Sequence, residues 1–323
     1  MKTPSKGQPG NRRKGTDSRG TGRPGGPDSG RREGTRPQRS GSGPRQGRPP
    51  QRPVRDDATQ NQRGSRPARP TKAAAAGIFI KDDLLYGRNA VRESLRAGRR
   101  TSKRLFIAEG VREDERVEEI IQLAQEQEVL VERVPRMLLD DLAHGGNHQG
   151  IALDAAEYPY VDLEDVIERE GTVVIMDHLN DPQNFGTLMR AADASGVAGI
   201  VLPQDRSVSV TPAVVNSSAG AIEHLLVAQT PNLARALDKL EDSGRWIVGL
   251  DEDEESNSLF DVDIPTPVAL VLGAEGSGLS PIVRKRCQVV ISIPMLGKVD
   301  SLNAATAGSI VLYDLLRRST NQD

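Results

Sequence analysis

Three observations predict an α/β protein. Strand-like and helix-like segments alternate from about residue 77 to the end of the 323-residue chain. The segments TVVIMD (172–177), GIVLP (199–203), RWIVGL (245–250) and VALVLG (268–273) are short with continuous apolar runs, as suits interior strands of a parallel sheet covered on both faces. Loops rich in Gly, Asn and Ser follow several of these runs, and open α/β sheets gather ligands at the carboxyl ends of their strands. Composition divides the chain into a basic tail over 1–76, a small α/β unit over 77–158, a linker over 159–169 and a larger α/β unit over 170–323.

The tail holds 19 Lys/Arg against 5 Asp/Glu, a formal charge of +14, with 13 Gly, 11 Pro and no aromatic residue. Met1 and Val54 are its only large apolar residues. Such a chain cannot repay the entropy of folding, and we expect it to be disordered. Its 15 arginines suit non-selective binding of polyphosphates such as RNA. A solubilising tail that offsets an acidic body is the other reading. Gly20, Gly22 and Gly25 match G-x-G-x-x-G, but no strand precedes them and proline-rich sequence follows, so the match is chance.

The remaining 247 residues hold 24 Lys/Arg against 40 Asp/Glu, so the formal net charge of −2 is the balance of two opposed regions. One cysteine, Cys287, excludes an intramolecular disulfide framework and a multi-cysteine metal site. His144, His148, His178 and His224 have no ligand spacing, so no metal is expected. No apolar run reaches 18 residues, and the basic start has no apolar stretch behind it. The expectation is a cytoplasmic protein without a membrane span or secretory signal.

Within the small unit, 87–97 predicts a helix with Ala90, Val91 and Leu95 on one side. RLFIA (104–108) predicts a strand, 113–127 an acidic amphipathic helix, and VLVE (129–132) a second strand. Pro135 opens a helix carrying Met137, Leu138, Leu139 and Leu142, and NHQG (147–150) turns into IALDA (151–155). In the larger unit, helices are expected over 185–195, 231–242 and 302–316. HLLVAQ (224–229) and CQVVISI (287–293) add strands to the four apolar runs.

Three loops carry chemistry. NDPQNFG (180–186) leads into a helix bearing Arg190. Asn184 and Arg190 converge if Asn184 sits in the turn and Arg190 reaches back; otherwise this is a capped turn with a surface arginine. GAEGSGLS (273–280) permits close backbone approach to a ligand, with Glu275 able to orient a partner, but lacks the Lys and Ser/Thr of a phosphate-cradling loop. IPMLGKVDSLN (293–303) offers apolar Pro294, Met295 and Leu302 beside hydrogen-bonding Ser301 and Asn303, or simply a helix cap. Three such loops after buried strands of one unit point to a shared pocket.

The segments NDPQNFGxxxR, LxLGAEGSGL and IPMLGxxxSLN resemble, in order, the three motifs of the SpoU/TrmH family of SPOUT-superfamily RNA 2′-O-ribose methyltransferases. GRNAVRESLRAG (87–98), HQGIAL (148–153) and SSAGAIEHL (217–225) extend the likeness across 77–323. Within the family the chain most resembles the bacterial 23S rRNA guanosine 2′-O-methyltransferase subgroup. The resemblance implies an L30e-like small domain that binds RNA and a C-terminal domain with a deep trefoil knot around 273–303. It also implies homodimerisation through the knotted domain, S-adenosylmethionine as cofactor, and 23S rRNA or the pre-ribosomal large subunit as partner.

The same resemblance assigns Arg190, Asn184, Glu275, Ser301 and Asn303 to the reaction. It assigns Leu272, Gly273, Glu275, Gly276, Gly278, Ile293, Met295, Ser301, Leu302 and Asn303 to the cofactor. Arg88, Asn89, Arg92 and Arg96 are candidate RNA contacts together with Arg190, though a solvated helix face accounts equally for the first four. Family precedent makes Arg190 the group that takes the ribose proton. A guanidinium normally keeps its charge, so holding a phosphate and stabilising the alkoxide is the alternative. Asn216 stands where relatives often carry a basic residue, and Ala304–Ala307 replaces a commoner valine-containing run. The rival readings are a tRNA guanosine 2′-O-methyltransferase and a non-catalytic RNA-binding ribosome-assembly factor.

Overall fold

The computed structural model describes residues 83–320 apart from 253–255, 275 and 300. The basic tail over 1–76, the onset of order expected near Ile78 and Glu275 therefore lie outside the described residues.

The small unit is a four-stranded sheet in the order β1-β4-β2-β3. Its strands are β1 (Asp83–Tyr86), β2 (Ser102–Ala108), β3 (Leu130–Val134) and β4 (Ile151–Ala155). β4 runs antiparallel to both neighbours, while β2 and β3 are parallel. Helix α1 (Arg88–Ala97) buries Ala90, Val91, Ser94 and Leu95, and ends at Gly98 with φ 60°. Helix α2 (Glu115–Glu126) begins where the Asp114 side chain accepts the Val117 amide at 3.2 Å. Helix α3 (Arg136–Leu142) follows Pro135.

The larger unit is a seven-stranded parallel sheet, ordered β7-β6-β5-β10-β8-β11-β9. Its strands are β5 (Val173–Met176), β6 (Gly199–Pro203), β7 (Val227–Thr230), β8 (Trp246–Leu250), β9 (Asn257–Ser258), β10 (Val268–Leu272) and β11 (Val289–Ser292). Every residue of β5, β6 and β10 is buried. Alternate residues face opposite layers. Val174, Met176, Leu270 and Leu272 join a core with α5 (Pro182–Ala194) and α9 (Ala304–Thr320). Val173, Ile175, Ala269 and Val271 join another with α4 (Leu163–Ile167), α7 (Leu233–Asp242) and α8 (Pro281–Arg284). Helix α6 (Pro212–Ser217) and a 3-10 turn (Ala221–His224) lie between β6 and β7.

Several boundaries differ from the sequence reading. Helix α5 starts at Pro182, not 185, because the Asp181 carboxylate caps the amides of Gln183 and Asn184. Asn184 is thus in the first helical turn rather than in the loop. The expected linker contains α4, closed by the Asp165 carboxylate on the Asp162 amide at 3.0 Å. The last helix begins after Asn303 and extends to Thr320.

The two sheets are joined at a buried charged seam. The Arg100 side chain is wholly buried and donates from Nε and Nη2 to the Glu223 carboxylate at 2.8–3.1 Å. Its Nη1 donates to Asp83 and to the Ala156 carbonyl, each at 3.0 Å. Arg99 donates to Tyr158 Oη at 2.9 Å and to the Leu225 carbonyl. Burial pushes the Tyr158 phenol up to about 12, against the pull of Arg99, and its hydroxyl donates to Leu225 O at 2.6 Å.

Removing one member of this pair leaves the other charge buried and uncompensated. Glu223→Ala should lose about 3–5 kcal/mol of stability, and Arg100→Met/Glu223→Leu should recover most of it. Urea unfolding monitored by circular dichroism measures both; a wild-type midpoint for Glu223→Ala contradicts the assignment.

Candidate active site

A cavity of about 670 Å³ opens at the carboxyl ends of β8, β10 and β11. One wall is the turn after β10. Ala274 and Gly278 exchange backbone hydrogen bonds at 3.0 and 3.1 Å, which brings these two residues of the turn together. A Cβ on Gly273 would lie 2.3 Å from the Gly278 carbonyl carbon, so only glycine permits this closure. Gly278, with φ 63°, lies so close to Asp251 that a Cβ would be 2.4 Å from Oδ1.

Two carboxylates outside this loop hold it in place. Asp177, buried at the end of β5, accepts the Ser280 amide at 2.6 Å and lies 2.6 Å from His178 Nδ1. Asp251, at the end of β8, accepts the Leu279 amide at 3.4 Å and faces Arg284 at 3.5 Å. Behind the loop, Cys287 packs on Gly249, and burial pushes its thiol up to about 11 despite Arg284.

The opposite wall comes from the loop after β11 and the start of α9. Asn303 Oδ1 caps α9 by accepting the amides of Ala305 and Thr306 at 3.0 and 3.3 Å. Its Nδ2 donates to Asn184 Oδ1 at 2.8 Å. One side chain therefore fixes a helix start and ties the cavity to α5. Gly308 allows α9 to approach closely, since a Cβ there would lie 2.8 Å from both Leu188 and Leu272.

Leu272, Gly273, Gly276, Gly278, Ile293, Met295, Ser301, Leu302 and Asn303 all line this cavity. Ala274, Ser277, Ala304 and Ala307 of the motif segments line it as well, together with Leu250, Asp251, Glu252 and Ser292, which sequence reasoning did not single out for the site. Acidic residues following the RWIVGL strand were the available signal. Arg190 is exposed and is not part of the lining. Six residues beyond Asn184, it projects about 240° around the helix, so the two side chains do not share a face. Its guanidinium has no ion-pair partner among the described residues. The α1 residues are engaged with neighbours: Arg88 with Asp114, Arg92 with Glu93, Arg96 with Glu119, and Asn89 accepting from Arg116.

The donor set fits S-adenosylmethionine. Apolar Leu250, Leu272, Ile293 and Leu302 can enclose a purine, while strand-end backbone and Ser301, Asn303, Asp251 and Glu252 offer polar groups to the rest. Among the described residues no group of three or more His, Cys, Asp or Glu could hold a metal ion. No helix among them is long and apolar enough to cross a membrane.

A model of the SpoU rRNA Methylase family matches residues 171–313, and one for RNA 2′-O ribose methyltransferase substrate binding matches 84–161. A TrmH-family tRNA/rRNA methyltransferase of Staphylococcus haemolyticus (strain JCSC1435) is 40% identical over 245 residues, spanning 74% of this chain and 97% of the relative. The SpoU methyltransferase AviRb from Streptomyces viridochromogenes superposes with a TM-score of 0.63 at 26% identity, covering 78% of this chain and 93% of AviRb. Its complex with AdoMet gives 0.61 at 27% identity, covering 77% and 93%. The chain belongs to the SpoU/TrmH family. It is an S-adenosylmethionine-dependent RNA 2′-O-ribose methyltransferase, an enzyme rather than a non-catalytic RNA-binding factor.

Gly273→Ala should drive the new methyl into the Gly278 backbone and open the loop. A loss of at least about tenfold in S-adenosylmethionine affinity, roughly 1.4 kcal/mol, is expected by isothermal titration calorimetry. Wild-type affinity contradicts the role given to this turn.

Proposed function

We propose that the acceptor is a guanosine ribose of 23S rRNA, met as free rRNA or within the pre-ribosomal large subunit. The observation that carries this reading is the small unit bonded to the methyltransferase unit through the Arg100–Glu223 seam. It gives the enzyme a second surface for a large folded RNA. In this reading the small unit is an L30e-like RNA-binding domain over 77–158, joined through 159–169 to a SPOUT domain over 170–323. The segment 273–303 forms a deep trefoil knot, and two copies associate through that domain in the cytoplasm. The TrmH-family assignment of the relative to tRNA or rRNA keeps a tRNA guanosine as the second reading.

When bound, S-adenosylmethionine supplies a methyl group already activated by its sulfonium. The chain's task is to place the 2′-hydroxyl in line with that methyl, so that the oxygen takes the methyl as its proton passes to solvent water, and to accommodate the negative charge that develops on the oxygen. Asn184 and Asn303, already hydrogen-bonded to one another, orient the ribose beside the cavity. Ser301, which lines the cavity, joins them, and Glu275 is assigned to the reaction by the motif resemblance alone. Arg190, exposed on α5 and outside the cavity lining in the free chain, is the guanidinium we assign to an RNA phosphate and, once RNA is bound, to the negative charge developing on the ribose oxygen.

Labelled methyl transfer to unmodified 23S rRNA and unmodified tRNA, with the product nucleotide mapped, tests the reading. The expected product is one ribose-methylated 23S guanosine. Arg190→Ala should lower kcat by about 100-fold or more with cofactor affinity retained. Labelling of tRNA alone overturns the substrate, and wild-type turnover by Arg190→Ala overturns that residue's role.

A further inference from the structure

The small unit carries a second cleft, of about 440 Å³, bounded by the start of α1, the loop after β2, the start of α3 and the turn before β4. Arg88, Arg112 and Arg136 line it, with Gln149 between them. Most arginines of this unit are engaged with acids: Arg92 and Arg96 with Glu93 and Glu119, Arg100 with Glu223, Arg133 with Glu113. Arg112 and Arg136 are exposed, and their guanidinium groups have no partner among the described residues.

Three of the acids near them in sequence are engaged elsewhere, while Glu109, Glu115 and Asp141 form no ion pair among the described residues. Glu113 pairs with Arg133, while Asp114 caps α2 and pairs with Arg88. Asp140 of α3 is bonded to buried His148 at 2.9 Å. That bond also fixes a cleft wall, because His148 Nδ1 accepts the Gly150 amide at 3.0 Å and Gly150 packs on Val111. The result is a preformed, shallow site with two available guanidinium groups and the Gln149 side chain on the Arg88 amide. Planar guanidinium groups in an open groove suit successive phosphodiesters.

We propose that this cleft binds the sugar–phosphate backbone of the substrate RNA away from the methylated ribose, through Arg112 and Arg136. The proposal rests on the RNA-methyltransferase reading above and extends it to residues outside the motif loops. A continuous set of packed elements connects the two places. Gly87, next to Arg88, lies against Asn216 of α6. The neighbouring Ser217 packs on Gly186 and donates to the Pro182 carbonyl at 3.0 Å, at the start of the helix that carries Asn184.

Full-length Arg112→Glu/Arg136→Glu is compared with wild type in binding unmodified 23S rRNA and unmodified tRNA across a salt series. A charge-matched control, Arg235→Glu/Lys239→Glu, alters α7 on the other layer of the larger sheet. On the RNA that wild type methylates, the cleft variant should bind at least about tenfold more weakly. The slope of log affinity on log salt should flatten by about 1.5, with S-adenosylmethionine affinity unchanged and the control near wild type. Wild-type RNA affinity and slope in the cleft variant overturn the proposal, and are also the result if the cleft serves an acidic protein partner. Equal losses in cleft and control variants overturn it too. If tRNA proves to be the methyl acceptor, the 23S reading falls while the cleft is judged by the same comparison on tRNA.

Discussion

Taking Arg100 and Glu223 out of water costs several kcal/mol per ion, and only close, fully hydrogen-bonded geometry offsets it. The molecule supplies that geometry where the small sheet meets the 3-10 turn before β7. Two donors of the guanidinium meet the Glu223 carboxylate, and the third side of the group meets Asp83 and the Ala156 carbonyl. Such a pair tolerates little hinge motion, because separating its members exposes each to an unsatisfied interior. The seam thus bonds the unit that carries the basic cleft to the unit that carries the active site.

Within the large unit, the site follows from the central place of β10. A strand flanked by β5 and β8 delivers its glycine loop between two neighbouring strand ends, each of which ends in an aspartate. Asp177 and Asp251 hold the loop from either side, and the missing side chain of Gly273 lets it fold back on itself. The cavity that results is shaped by backbone and apolar side chains, with Asn303 linking its rim to Asn184. Recognition at such a site depends on contour and hydrogen-bond direction more than on charge.

The large sheet was legible because burial on both faces leaves no alternation in runs such as 173–176 and 268–272, and the loops after them carry distinctive residues. The short pieces were not. β1 has four residues, β9 two, and α4 five, too few for a period to show. Asp181-Pro182 is a helix-start signal in its own right, yet the apolar pattern drew the expected start to 185. Nothing local marks Asp177 and Asp251, since Ser280 lies 103 positions from Asp177 and Leu279 lies 28 from Asp251. Arg99 and Arg100 are indistinguishable by type from Arg112 and Arg136; only tertiary burial separates residues that join units from those that face solvent.

On the proposal made above, a single RNA spans the basic cleft and the reaction centre. This is tested most directly by the length dependence of methyl transfer. Fragments of the substrate RNA, trimmed progressively on each side of the methylated ribose, are assayed for kcat and KM with the wild-type enzyme. The account predicts a sharp rise in KM, at nearly constant kcat, once a fragment on one side becomes too short to reach Arg112 and Arg136. A KM that does not change until the immediate neighbours of the methylated nucleotide are removed would contradict it.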